Sequence, residues 1–394
     1  MSISRWITSW RSLTWWPPVS NNLDSVNQLH LMLKLFGVLV YTVTDRVRYR
    51  IRVTSRDWLL LASFTIFRLY GMLDGLINGY WRILVQSDQA AVAYGMGFTL
   101  FLMMALFAVI PVYLLIQHKR FGDLLIILHE FDEEFMQYGY PRDHRYYHFQ
   151  TTMYLSVCLT VLTIFGGVIT LHPGDSMWTA ATFLVNFIQT CFASTLCHAA
   201  LIITILSINS RMQLLNQCIN EKLHQAGSWE NKRKPDLVNL MARMYDKLCD
   251  ASEIISVVMC APLFLNFINI FFLHVISCYA CMRVLLNRAT PSEATNAVLY
   301  LCWSGYFNLF VFQTVGFATA LRQQTARFAG AVHSCLNQSH NQSIIDRLQL
   351  LSEQIDNRGP FMTFFLFELH PSLIIQAGGE LATYMLILIQ FEMQ

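Results

Sequence analysis

Polar side chains recur on one face of the last apolar segment of the chain. Gln376, Glu380, Thr383, Ile387 and Gln390 follow the three-four spacing of an α-helix, so they form one stripe. A membrane-buried ionisable residue such as Glu380 is costly and indicates a functional site. If several copies present the stripe around one axis, Ile387 forms an apolar constriction, Gln390 an amide ring near the outer mouth and Glu380 a deeper, cation-attracting ring. Alternatively, these side chains satisfy one another inside a monomeric bundle.

Aromatic and amide side chains suggest a ligand pocket in the outer halves of the other helices, because small-molecule pockets combine aromatic walls with a few fixed polar groups. The candidates are Tyr94, Trp178, Asn186, Gln189, Asn269, His274, Tyr300, Trp303 and Tyr306. Each has a structural interpretation too, since Trp and Tyr form interfacial belts and amides bond between helices. The set is richer in rings than in acids and amides, which favours an apolar or heterocyclic compound over a sugar.

Other reactive side chains fit structural roles better. Cys278 and Cys281 have metal-ligand spacing, but no second Cys or His pair lies near them on their apolar segment. The Cys197-His198 pair lies within another apolar segment, and the run 129–134 forms an acidic face that we expect Lys119 and Arg120 to balance. We therefore predict no metal, no cofactor and no catalytic residue.

The composition is that of an integral membrane protein. The 394 residues are 55% apolar and 13% charged, with a mean hydropathy of +0.41, which leaves too little polar surface for a soluble globule. The net charge of +2 does not indicate nucleic-acid binding. The segment 1–14 lacks the apolar core and cleavage site of a signal peptide. Ten cysteines are present but none lies in the predicted outer loops, so no disulfide framework is expected.

Seven segments are long and apolar enough to cross a bilayer, and all must be helical because an open sheet would leave unpaired backbone groups in lipid. They lie near 58–85, 90–117, 149–171, 177–209, 254–283, 294–321 and 371–391. The fold class predicted is therefore all-α, a seven-helix transmembrane bundle.

The chain divides into four regions on this basis. Region 1–57 carries a shorter apolar stretch, 29–43, whose length suits a re-entrant or interfacial element. Region 58–321 holds six spans with helical extensions between them, 322–358 is a charged helical segment, and 359–394 holds the last span.

The basic residues define the predicted orientation. Of 27 Lys and Arg, eight lie in 1–57, four in 118–148, seven in 210–253 and four in 322–358. The other connections hold almost none. The positive-inside rule therefore predicts a cytoplasmic N-terminus and an extracellular C-terminus, opposite to a rhodopsin-like receptor.

The end of the chain resembles insect gustatory receptors. Thr383-Tyr384, five apolar residues, then Gln390-Phe391 match the TYhhhhhQF pattern of that family's last helix. The resemblance implies a tetrameric cation channel, homomeric or heteromeric, whose pore is lined by the last helix with Gln390 and Phe391 near the gate. It also implies that 322–358 packs subunits together below the membrane.

The resemblance further implies a taste receptor rather than an enzyme. It would lie in the plasma membrane of a sensory neuron and be gated by a small tastant. The ring-rich pocket favours a bitter or apolar tastant, and a sugar-responsive member of the family is the alternative. A G-protein-coupled chemoreceptor would need the opposite topology. A secondary transporter would show internal repeats and paired broken helices, which the sequence lacks.

Overall fold

The computed structural model describes residues 19, 22–39, 41–45, 50–77, 90–170, 177–224, 234–286, 288–364 and 367–393. Helices dominate this part of the chain. In order they are α1 Asn22–Ser25, α2 Asn27–Leu35, α3 Ser55–Ile77, α4 Ala90–Ile116, α5 His118–Gln137, α6 His144–Thr170, α7 Met177–Ile219, α8 Lys234–Leu285, α9 Pro291–Gln338, α10 Gln342–Asn357 and α11 Pro371–Met393. A π-helical turn, Asn220–His224, continues α7.

Seven of the described helices have 23 residues or more and coincide with the seven predicted spans: α3, α4, α6, α7, α8, α9 and α11. At about 1.5 Å per residue, each is long enough to cross about 30 Å of hydrocarbon. Within the described residues, five of these helices are also apolar enough to cross a membrane: α4, α7, α8, α9 and α11. The end of the first predicted span, 78–85, lies outside the described residues. The all-α membrane bundle is confirmed.

Two short antiparallel hairpins interrupt the helices. Strands β1 (Thr42–Asp45) and β2 (Arg50–Arg52) pair before α3, and strands β3 (Thr363–Phe364) and β4 (Phe367–Glu368) pair before α11. Neither was predicted, because both are too short to show an alternating pattern.

The stretch 29–43, predicted to be re-entrant or interfacial, divides between α2 and β1. Helix α2 has nine residues and therefore spans only about 14 Å. Its apolar side packs into the protein, where Leu29 and Leu33 are buried, and the Phe36 ring that follows stacks on Phe192 of α7 at 4.9 Å. Helix α2 thus covers the bundle, and whether it also touches the bilayer surface stays a prediction.

The core lies around α8 and α9, whose most extensive contacts are α9 with α7, α8 with α9, and α8 with α4. Side chains of α7 between Cys191 and Ile219 are almost all buried. The segments predicted to be helical extensions, 118–148, 210–253 and 322–358, are largely helical in their described parts. They therefore prolong the core beyond the apolar stretches as a second packed layer.

A buried ion pair joins this layer together. Arg211 of α7 is fully buried, and its Nε and Nη2 atoms donate to the two carboxylate oxygens of Asp132 on α5 at 2.9 and 2.6 Å. Arg142, just before α6, donates to the same carboxylate at 3.5 Å and to Ser207 at 3.2 Å. One carboxylate thus connects α5, α7 and the loop before α6, in a geometry that offsets the cost of burying charge.

The acidic run 129–134 is structural, as expected, but its cationic partners are not Lys119 and Arg120. Lys247 of α8 contacts Glu130 at 3.0 Å and Glu134 at 2.6 Å, while Arg211 contacts Asp132. The expectation of local balance failed because the basic partners are supplied by other helices, which a single sequence does not reveal.

We predict that Arg211→Met lowers the free energy of unfolding by about 3–5 kcal/mol, because it leaves the buried carboxylate of Asp132 with a weaker partner. Thermal unfolding of the purified protein in detergent measures the change. Arg243→Met is the matched control, since the Arg243 side chain is 63% exposed and its contact with Glu134 is long, at 3.9 Å. We expect this variant to lower the free energy of unfolding by at most about 1 kcal/mol. Equal losses in the two variants would show that burial of the ion pair is unimportant.

Candidate functional site

The last helix, α11, lies against the bundle along one side only. It contacts α8 and α9, and no residue from Pro371 to Gln390 is buried inside the chain. Phe271 of α8 packs edge-on against Tyr384 at 5.8 Å between ring centroids. Most of the surface of α11 is therefore open to lipid, water or another molecule.

All five stripe residues are exposed in the single chain: Gln376, Glu380, Thr383, Ile387 and Gln390. The only side-chain hydrogen bond described for the stripe stays within the helix, from the Thr383 hydroxyl to the Gly379 carbonyl at 3.1 Å. The interpretation in which these groups satisfy one another inside a monomeric bundle is therefore wrong. The Phe391 side chain lies outside the described part.

Another face of α11 forms one wall of a cavity of about 440 Å³ between α8, α9 and α11. Leu373, Ile374, Ala377, Gly378 and Leu381 supply this wall. A Cβ atom added at Gly378 or Gly379 would meet nothing within 4 Å, so close helix packing does not require either glycine within the described chain. Helix α11 thus separates a cavity on one side from an exposed polar stripe on the other.

Aromatic rings dominate the rest of the lining: Phe264, Phe267, Phe271, Phe272, Phe312 and Phe367. Four of these follow a helix face of α8, at positions 264, 267, 271 and 272, and Phe367 belongs to strand β4. The periodicity of the α8 rings was visible in the sequence, yet it did not distinguish a cavity wall from ordinary packing. The site was therefore missed apart from His274.

Two polar side chains mark one end of the cavity. His274 Nδ1 lies 2.6 Å from the Ser304 hydroxyl and 3.0 Å from the Asn308 amide nitrogen. Asn308 also donates to the Ser304 carbonyl at 2.9 Å. These bonds fix the orientation of both rim groups, so the cavity offers an apolar, ring-lined interior and a hydrogen-bonding end. A volume of this size falls within the roughly 300–1,000 Å³ of small-molecule pockets.

The structure separates the other candidate ligand residues. Tyr94 is 79% exposed on the surface of α4, while Asn269, Tyr300 and Trp303 are buried at 3–4% exposure. The Tyr306 hydroxyl lies 3.1 Å from Thr195 Oγ1 and donates to the Cys158 carbonyl at 3.3 Å, so it links α9 to α7 and α6. None of these residues lines the cavity.

Three further candidates, Trp178, Asn186 and Gln189, lie on α7, but their side chains are outside the described part of the structure. No group of three potential metal ligands occurs among the described residues. All ten cysteines are free thiols. Cys278 Sγ lies 3.7 Å from His274 Nε2, within one turn of α8, which agrees with a packing role.

The segment leading into α11 is attached to α8 and α9. Arg358 contacts three carboxylates of α8, those of Asp246, Asp250 and Glu253, at 2.6–2.9 Å. Burial alone would lower the pKa of the Arg358 guanidinium, but the Asp250 and Glu253 carboxylates outweigh it and raise that pKa. Arg322 of α9 pairs with Glu368 beside the cavity residue Phe367. These ion pairs therefore hold the segment that leads into α11 against α8 and α9.

Two solved structures of an insect olfactory receptor have a similar fold. The structure of the insect olfactory receptor OR5 from Machilis hrabei matches with a TM-score of 0.66 and 14% sequence identity, over 93% of this chain and 97% of that one. The structure of the same receptor in complex with eugenol matches with a TM-score of 0.63 and 15% identity over the same shares. No curated protein matches the sequence. At these identities the structural matches show the fold.

A family model described as 7tm Chemosensory receptor matches residues 28–394, which is nearly the whole chain. This match confirms the superfamily expected from the TYhhhhhQF pattern, a receptor rather than an enzyme, and a multi-pass protein of the plasma membrane. The chain belongs to the seven-transmembrane chemosensory receptor family.

Proposed function

We propose that this receptor is a gustatory receptor and is itself a ligand-gated, non-selective cation channel. The observation that carries the proposal is the two-sided position of α11, which borders a small-molecule cavity and exposes a polar stripe. Taste rather than smell is favoured by the TYhhhhhQF match at Thr383, Tyr384, Gln390 and Phe391. The functional unit is a homo- or hetero-tetramer with the N-terminus in the cytoplasm.

In such a tetramer the four stripes face one central pathway. Glu380 provides a ring of carboxylates that attracts cations, and Thr383 adds hydroxyls along the wall. Ile387 forms the apolar constriction, and Gln390 with Phe391 borders the gate. Tyr384 has a different role, because its ring contacts Phe271 of α8 and so connects the pore helix to the cavity.

The ligand binds in the cavity between α8, α9 and α11. Its ring-lined interior favours an aromatic or heterocyclic tastant that forms a hydrogen bond with His274 or Asn308. The scarcity of polar groups disfavours a sugar, since each hydroxyl buried without a partner costs free energy. The similar olfactory receptor has been solved in complex with eugenol.

Gating follows if the ligand binds the open state more tightly than the closed state. A ligand that binds both equally shifts nothing, whatever its affinity. Because α11 is one wall of the cavity and carries the stripe on its other face, a ligand that alters the cavity must displace or rotate the stripe. The contacts of Arg358 and Arg322 then provide the fixed reference against which α11 moves.

We predict that Val311→Trp abolishes ligand-evoked current or raises the half-maximal concentration at least about tenfold, because the indole fills the cavity that Val311 lines. Leu309→Trp is the matched control, since Leu309 lies two residues away on α9 and is 58% exposed. Whole-cell currents evoked by eugenol, caffeine and quinine at equal surface expression measure the effect. If Val311→Trp responds like the native receptor to an active compound, the ligand site lies elsewhere.

The orientation is tested by two glycosylation sequons, at Asn337 in the last turn of α9 and at Asn341 just before α10. We expect neither to be modified in insect cells, because the proposed topology places both in the cytosol. A sequon added after Gln394 through a flexible tail is expected to be glycosylated and serves as the positive control. A glycosidase-sensitive shift that Asn337→Gln or Asn341→Gln removes would reverse the topology and favour a G-protein-coupled receptor.

A further inference from the structure

A second cavity of about 440 Å³ lies where α6 begins and α7 approaches its end. Its walls come from residues 141–150 and 206–217, so it shares no residue with the cavity beside α11. It differs from that cavity in chemistry as well, because amides, hydroxyls and phenols replace the phenylalanine rings. Neither the pore nor the apolar ligand site uses it.

Neutral hydrogen-bonding groups dominate this second cavity. Gln150, Asn209, Ser210, Gln213 and Gln217 all border it. The amides carry both donors and acceptors, while the Ser210 hydroxyl donates to the Ser207 carbonyl at 2.8 Å and keeps its oxygen as an acceptor. Asn209 is only 9% exposed, and its amide oxygen is buried with no hydrogen-bond partner in the described structure. Buried acceptors are normally satisfied, so an unpaired one beside a polar cavity indicates a missing donor.

The charged groups of the lining balance each other. Apart from the tyrosines, its ionisable side chains are the base Arg142 and the acid Asp143. The formal charge of the wall is therefore zero. The Arg142 guanidinium is held in place by Asp132 and Ser207 and lies 3.9 Å from the Tyr147 ring centroid. The Asp143 carboxylate accepts a bond from the backbone N–H of Tyr146 at 3.0 Å, at the start of α6. The wall is therefore preorganised and selects neither anions nor cations.

We propose that this cavity binds a neutral polyhydroxylated ring, either a sugar or an inositol. Such a ring presents alternating donors and acceptors that match the amides, and its C–H faces can pack on the aromatic surface of Tyr146 and Tyr147. The ring is either a free solute or the headgroup of a lipid. Both sources share the same recognition chemistry, and the experiment separates them.

The full-length protein, purified in detergent, is titrated with glucose and with myo-inositol while its thermal unfolding and equilibrium binding are measured. We expect at least one of these solutes to bind saturably and to raise the unfolding temperature. Gln213→Ala, at an exposed position of the wall, is expected to weaken binding about tenfold, as for one hydrogen bond lost. Gln323→Ala, exposed on α9 and outside both cavities, is the matched control and should bind like the native protein.

Asn209→Leu provides a second variant, which removes the buried unpaired amide and is expected to abolish binding. If it fails to fold, Gln213→Ala still tests whether the cavity binds the ring.

Protein in phosphatidylcholine nanodiscs with and without phosphatidylinositol tests the lipid source. Stabilisation by phosphatidylinositol that both wall variants remove would identify a headgroup. No binding of any of these probes, or binding that neither variant weakens, would overturn the proposal. Glucose 6-phosphate binding more than tenfold tighter than glucose would overturn its neutral class. Because binding needs no current, the result is independent of the proposed channel function.

Discussion

Polar side chains in hydrocarbon are costly, and this constraint determines the surroundings that the polar stripe of the last helix requires. A charged group such as Glu380 costs about 3 kcal/mol at the centre of a bilayer even on the mildest scales. In the single chain the whole stripe from Gln376 to Gln390 is exposed rather than turned into the bundle. The chain alone does not meet the constraint, so the stripe requires water or further subunits. In the proposed channel, a shared aqueous pathway between several copies would supply both.

The rest of the molecule anchors the start of α11 and leaves most of that helix free of contacts within the chain. The packed layer formed by α5, α7 and α8 is fixed by the buried Arg211–Asp132 pair, and the lead-in to α11 is attached to that layer through Arg358. Helix α11 itself has few contacts beyond the cavity wall and the Tyr384–Phe271 pair. A rigid base and a loosely packed final helix are what the proposed gating by a small ligand requires.

The sequence was sufficient for the helices and for the stripe, because both depend on local patterns. Apolar length identified the seven spans, and the spacing of Gln376, Glu380, Thr383 and Gln390 placed them on one face. The lining of the cavity beside α11 was harder to predict. Of the described candidates only His274 lines it, whereas Tyr94 is exposed and Tyr300 and Trp303 are buried in the core.

Long-range pairing explains these differences. An aromatic residue on a membrane helix has the same local pattern whether it lines a cavity, fills the core or faces lipid, and only the neighbouring helices decide which. The partner of Asp132 lies 79 residues away, and the hairpin that brings Phe367 into the cavity is two residues per strand. Neither leaves a periodic signal in one sequence.

A cysteine scan along α11, from position 375 to 390, tests most directly whether this helix lines a water-filled pore. The scan uses receptor expressed at the cell surface with Cys302 replaced by serine. A charged, membrane-impermeant thiol reagent reports which positions are in contact with water. We predict fast modification at 376, 380, 383, 387 and 390, and slow modification at Ile375 and Leu386, with the period of a helix. Modification that is uniformly slow, or that shows no difference between stripe and flank, would contradict a water-filled pore lined by this helix.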